Sequence, residues 1–191
     1  MVIASPPLLT LTAYFEQDIA DQPFAELEAG QLLPIPPASD RHQRITSLLF
    51  ALLLQQGIPS QRLRMGMELV VTGARATVRI PDLTVLSEEL ALSLSGATRA
   101  TITIDLPPPA LVVEVVSPGK ENSDRDYRYK RSEYGARGIP EYWIIDPQLE
   151  QIVCLEWVDG FYEAATYQGD TPFHSPSLGD LPLTAAQILA G

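Results

Sequence analysis

Hydrophobic and polar positions follow two periods along this chain. In "SDRHQRITSLLFALLLQQG", apolar residues recur at 45, 48, 49, 52 and 53, the three-to-four spacing of an amphipathic helix. Ser39 or Asp40 can cap its start, and Gly57 stops it. Elsewhere the signal is that of strands. "AELEAGQLLPIPP" predicts a hairpin about "EAG", ended by prolines, and "GMELVVTG" and "ATVRIPDLTVL" predict two strands joined by "TGARA". "TRATITIDLPPPA" is an extended piece or an excursion leading into "LVVEVVS", and "PEYWIIDP", "QIVCLEWV" and "GFYEAATY" are three further strands. A polar helix from about Ser123, "SDRDYRYKRSEYGARG", separates "LVVEVVS" from those three. The order of helix, strands, helix, strands predicts a mixed α/β domain over residues 1–191 on one central sheet. Residues 1–24 form an N-terminal arm with a short helix or irregular stretch, and 170–191 a proline-rich tail with a short helix in "LTAAQILAG".

One position breaks the apolar run of "LVVEVVS". Side chains alternate along a strand, so Glu114 shares a face with Val112 and Val116. An unpaired buried carboxylate costs several kcal/mol or takes up a proton. A buried basic partner, a metal ion, or a frayed edge open to water would each offset that cost.

Composition bounds the class. At 191 residues the chain can build one real core, and 46% hydrophobic with 19% charged residues is ordinary for a globular protein. No apolar run reaches the roughly 18 to 20 residues of a membrane span, and "MVIASPPLL" lacks the basic-then-apolar form of a secretion signal. Cys154 is the single cysteine, which excludes an internal disulfide and suits a reducing cytoplasm. The net charge of −11 argues against a generic nucleic-acid binder, yet the charge is uneven. All 13 Lys and Arg lie between Arg41 and Arg137, beside 10 acids; residues 1–40 hold six acids and 138–191 eight, with no Lys or Arg in either. A neutral-to-basic working surface could be built from the middle while the ends solvate the molecule.

Three stretches could carry chemistry. Asp82 follows Pro81 in "RIPDLTVL" and points to the same face as Ile80 and Thr84, and two carboxylates on adjacent strands can converge on a hard divalent cation. In the polar helix, Asp126, Lys130 and Tyr134 fall at i, i+4 and i+8, one stripe directly after the Glu114 strand. The plain alternative is a surface ion pair of Asp126 with Lys130. Against it, the chain has 11 arginines and only two lysines, Lys120 and Lys130, so a lysine kept here suits a compact ammonium that orients water or steadies charge. Trp143 and Trp157 alternate with apolar neighbours as core or subunit-contact residues, Cys154 is a small buried hydrophobe, and His174 has no partner pattern. There is no Gly-rich phosphate loop, no paired CxxC and no serine nucleophile elbow.

Taken together, "GQLLPIPPASDRHQRI", "PDLTVL", "PPALVVEVVSPG", "DYRYKRSEYGARGIPEYWIIDP" and "GFYEAATY" resemble the PD-(D/E)XK nuclease superfamily, and within it the Uma-two family of restriction-endonuclease-like proteins. The resemblance spans roughly residues 25–165. It implies a restriction-endonuclease-like α/β fold, a four- or five-stranded mixed central sheet flanked by helices, and a metal-dependent phosphodiesterase site. By position, Asp82 and Glu114 would bind Mg2+ or Mn2+, with a backbone carbonyl near Val115. The superfamily's lysine normally lies two residues after the glutamate, where this chain has Val116; in the Uma-two family it has moved to the following helix, here Lys130. Glu28 and Tyr134 match recurrent family positions as supporting residues, and His42 matches too, though a helix-face histidine is more often structural. Arg125, Arg128 and Arg131 could hold phosphates. The resemblance further implies DNA as substrate and a homodimer. The rival readings are a catalytically inactive binding or assembly module, which the acidic surface favours, and a nuclease for RNA or for a partner-presented substrate.

Overall fold

A break in one sequence-predicted strand organises the molecule. In a computed structural model describing residues 8–17, 24–71 and 75–191, the stretch "ATVRIPDLTVL" forms two short strands, Val78–Arg79 and Leu83–Val85, which join different sheets. Pro81 has no N–H to give a ladder, so pairing stops there and resumes two residues later. The described strands, in chain order, are β1 Ala25–Glu28, β2 Gln31–Pro34, β3 Leu63–Arg64, β4 Glu68–Val70, β5 Val78–Arg79, β6 Leu83–Val85, β7 Thr101–Ile102, β8 Leu111–Val115, β9 Glu141–Asp146, β10 Gln151–Val158, β11 Phe161–Gln168, β12 Pro172–Ser175 and β13 Gly179–Thr184. The helices are α1 Leu11–Phe15, α2 Asp40–Gln55, α3 Glu88–Ser93, α4 Lys120–Asp124, α5 Arg131–Ala136 and α6 Ala185–Ala190.

The main sheet has six strands in the order β11-β10-β9-β8-β6-β3, mixed because β8 and β9 run parallel. A second sheet of five, β2-β1-β5-β4-β7, lies beside it, so the strand count exceeds the four or five that the resemblance implied. Alternation along β8 divides the interior. Leu111, Val113 and Val115 enter one core with Ile45, Leu49 and Leu53 of α2, while Val112 and Val116 enter the other with Tyr134 and Tyr142. Both faces of β8 are therefore buried.

The hairpin, the long helix and the last three long strands occur where the sequence places them. The β1–β2 turn uses Ala29 and Gly30, both at positive φ, the twist that suits a two-residue hairpin. Ser39 caps α2 by accepting from the His42 N–H, and Ile45, Leu49, Leu52 and Leu53 form its buried stripe. The polar helix is continuous from Lys120 to Ala136 but opens into a π-helical segment over Arg125–Lys130. Its last turn approaches β10 and β11 closely at Gly135, where an added Cβ would lie 2.8 Å from the Trp157 ring. The segment read as a tail is instead a folded layer. β12 and β13 pair as a hairpin, and Phe173, Leu181, Ile188 and Leu189 are buried in the α2 core. Of the N-terminal arm, α1 is described, with Tyr14 buried, and residues 1–7 and 18–23 lie outside the described residues. Among the described residues, no helix is long and apolar enough to cross a membrane.

Candidate active site

The β6–β8 ladder explains how two carboxylates meet. The strands pair antiparallel as Leu83↔Val113, Thr84↔Val112 and Val85↔Leu111. One further step in this register sets Asp82 opposite Glu114, on one face. Asp82 sits just past the proline break, free of the ladder, and its Oδ2 accepts from the Val115 N–H at 2.7 Å. Its Oδ1 lies 2.8 Å from His42 Nε2, on the first turn of α2. Both line a cleft of about 620 Å³ that also touches Glu26, Glu114, Asp126 and Lys130.

The π-helical segment supplies the cation. Asp126, Lys130 and Tyr134 do form one stripe, and all three are buried. Lys130 Nζ lies 2.9 Å from Glu114 Oε2, 3.3 Å from Asp126 Oδ1 and 3.5 Å from Glu26 Oε1. Tyr134 donates its hydroxyl to Glu114 Oε1 at 2.6 Å. The buried Tyr142 hydroxyl donates to the Asp126 carbonyl within the π-helical segment, which fastens the helix to β9. The Asp126–Lys130 pair is thus buried, where a surface pair was the plain alternative.

Charge in this cluster is unbalanced. Burial pushes the Glu114 carboxyl up to about 8; Lys130 opposes that, while Asp82, Asp126 and Glu26 add to it. Burial works against the Lys130 ammonium too, but Glu114, Glu26 and Asp126 hold it well above its ordinary value. Asp126 is raised by burial and by Asp82 and Glu26, against Lys130. Glu26 resists the same burial because Lys130 and Arg79 hold it below its usual range, and the Ile80 N–H donates to it. His42 is raised in spite of burial, through its bond to Asp82. Four acidic side chains, Glu26, Asp82, Glu114 and Asp126, thus face Lys130, His42 and an Arg79 guanidinium that Glu26 shares with Glu28 and Glu133, an acid excess that favours an added cation. Glu114 answers its burial cost partly through Lys130, with acid excess left over.

Not every sequence candidate lies in the cleft. Glu28 pairs with Arg79 at 2.7 Å and does not line it; Glu26, two residues earlier on the same strand face, does. Arg79 is fully buried and binds Glu26, Glu28 and both oxygens of Glu133. Of the three arginines proposed for phosphate, Arg125 lines the cleft, Arg128 pairs with Asp124, and Arg131 donates to the Tyr162 carbonyl. Sequence reasoning did not single out Glu26, and it gave His42 as a match to the family that is more often structural on a helix face. The hairpin pattern puts Glu26 and Glu28 on one face without saying which reaches inward, and the His42–Asp82 contact spans two elements that no local signal connects. Cys154 is buried, as expected, and His174 does have a partner, Asp180 at 2.8 Å on the surface.

The profile of the Uma2 family, described as "Putative restriction endonuclease", matches residues 11–186. The chain belongs to that family. Among solved structures, the crystal structure of a protein from Anabaena variabilis, described as "a putative nuclease belonging to DUF820", matches with a TM-score of 0.70 at 16% identity. The match covers 95% of this chain and 97% of that one. It shows that this Uma2 member has the restriction-endonuclease-like fold, a mixed α/β architecture with helices flanking the sheet. Comparison with curated proteins found no match.

Proposed function

We propose that this Uma2 member is a divalent-metal-dependent endonuclease hydrolysing phosphodiester bonds in DNA. The observation that carries the reading is the convergence of Asp82, Glu114 and Lys130 in one cleft, from a strand break, a central strand and a π-helical segment. Among the described residues, no group of three His, Cys, Asp or Glu side chains is arranged to hold a metal. Two cross-strand carboxylates still fit magnesium or manganese, because such ions accept one or two protein carboxylates and fill their remaining positions with water and substrate phosphate. Asp82 and Glu114 would be those ligands, and the acid excess around them supports a cation. When bound, the ion would polarise the phosphate and lower the pKa of water.

The chain's own groups do the rest. Lys130 is held as an ammonium, so it donates and does not abstract: it can orient the attacking water or steady charge gathering on the phosphate. Asp126 and Glu26 anchor it beside Glu114. Tyr134 and the Val115 N–H fix the rotamers of Glu114 and Asp82. Arg125 is placed at the cleft to take a flanking phosphate. The attacking water gives up a proton to solvent as its oxygen joins phosphorus, the ester P–O bond breaks, and the leaving oxygen takes a proton from solvent.

Plasmid nicking by purified protein with magnesium or manganese tests this, beside Asp82→Ala and Lys130→Ala. Both variants should lose about 100-fold or more of the activity, measured at a temperature where circular dichroism shows each to be folded, since Lys130→Ala also removes a buried counter-charge. A wild type that binds manganese only while Asp82 is present, yet never cuts, would move the reading to a structural cation in a binding or assembly module, the alternative that the net charge of −11 favours.

A further inference from the structure

The walls of the cleft are chemically unlike its floor. Glu26 opposes Leu33 in the β1–β2 ladder, and the Ile35 N–H donates to the Phe24 carbonyl one step further out. Residues 24, 26, 33 and 35 therefore share one face of the hairpin. The face that sends Glu26 to the floor also lines the cleft with Phe24, Leu33 and Ile35, and Met65 and Ile80 complete the apolar wall. Phe24 is 61% exposed and Met65 52%, a high exposure for large apolar side chains beside a charged site. Cations are sparse in the same cleft. Among the described lining residues they are Arg125, Lys130 and His42; Lys130 is held by three carboxylates and His42 by Asp82.

A duplex presents phosphates on two strands, and proteins that grip it neutralise several of them with lysine and arginine. An unpaired nucleotide presents one phosphate beside a flat apolar base, which proteins hold by stacking. We propose that the cleft takes an unpaired nucleotide, with its base against Phe24, Met65 and Ile35, Arg125 on a neighbouring phosphate, and the scissile phosphate over Asp82 and Glu114. This rests on the nuclease reading and narrows its substrate to single-stranded, bubbled or base-extruded nucleic acid. The cleft volume of about 620 Å³ lies within the roughly 300–1,000 Å³ common for small-molecule sites, so it has room for a nucleotide.

The test is fluorescence anisotropy of wild-type protein in calcium with three DNA probes of one sequence, a single strand, a perfect duplex and a duplex with an internal bubble, and with the matching RNA strand. The single strand and the bubble should bind at least about tenfold tighter than the duplex, and Phe24→Ala and Met65→Ala should each remove about tenfold of that, with Phe24→Trp restoring it. Both side chains are exposed, so these variants keep the fold. Equal binding of RNA supports the same seat, because a base offers the same flat face on either sugar. Duplex bound as tightly as single strand, or binding indifferent to Phe24, overturns the proposal even if plasmid is nicked. A bubble preference that vanishes in Phe24→Ala, with no cleavage in magnesium or manganese, keeps the base seat and removes the nuclease reading instead.

Discussion

Two carboxylates lie buried on the neighbouring parallel strands β8 and β9, Glu114 at 3% exposure and Glu141 at 1%, on opposite faces of the main sheet. Glu141 is surrounded by donors. Its Oε1 accepts from the Trp143 indole at 2.5 Å and the Ser175 hydroxyl at 2.7 Å, and its Oε2 accepts from the Ser177 N–H and hydroxyl. Glu114 has Tyr134 and Lys130 but also faces Asp82, Asp126 and Glu26. The first arrangement is closed: neutral donors complete the charge, and the group ties the β12–β13 hairpin to the sheet. The second is open to the cleft and short of positive charge. Burial alone therefore does not separate the two; what sets Glu114 apart as the candidate for chemistry is neighbours of its own sign at the edge of a cleft.

Stability should separate the two most sharply. Glu141→Ala leaves the Trp143 indole N–H and the Ser175 hydroxyl without their acceptor in the core, and should cost about 3 kcal/mol, a fall in thermal midpoint of roughly 10 °C. Glu114→Gln should cost little. Because burial raises Glu114 from 4.5 to about 8, the native state keeps a proton that the unfolded chain releases across that window. Its contribution to stability is full below 4.5 and is lost as pH rises to 8, so Glu114→Gln should gain on the wild type between those values in urea titrations. Equal losses for both variants would mean that the two acids are held alike.

Metal binding should show a smaller effect of the same origin. A cation on Glu114 must displace its proton, so manganese affinity by calorimetry should rise about tenfold per pH unit up to about 8, with proton release, and flatten above. A pH-independent affinity would place the metal elsewhere. The least change is expected at the arginines. Arg125→Ala should lower the slope of log affinity for DNA against log salt by about 1, and Arg128→Ala, which sits outside the cleft, should leave it unchanged.

Part of this site was legible in short stretches of sequence. The two-residue period of "LVVEVVS" put Glu114 with Val112 and Val116, and the spacing of Asp126, Lys130 and Tyr134 put them on one stripe of the helix that follows, while the packing turned that stripe toward Glu114. These are properties of a strand and a helix that hold wherever the element sits. Tertiary structure decided what no local period contains: that the strand through Pro81 splits between two sheets, that Glu26 and not Glu28 reaches the cleft, that His42 meets Asp82, and that the proline-rich end folds as a hairpin over the α2 core. Periodicity fixes which way a side chain points from its own backbone. Which residue it then meets depends on register and packing across tens of residues, and those are set by burying the whole interior at once.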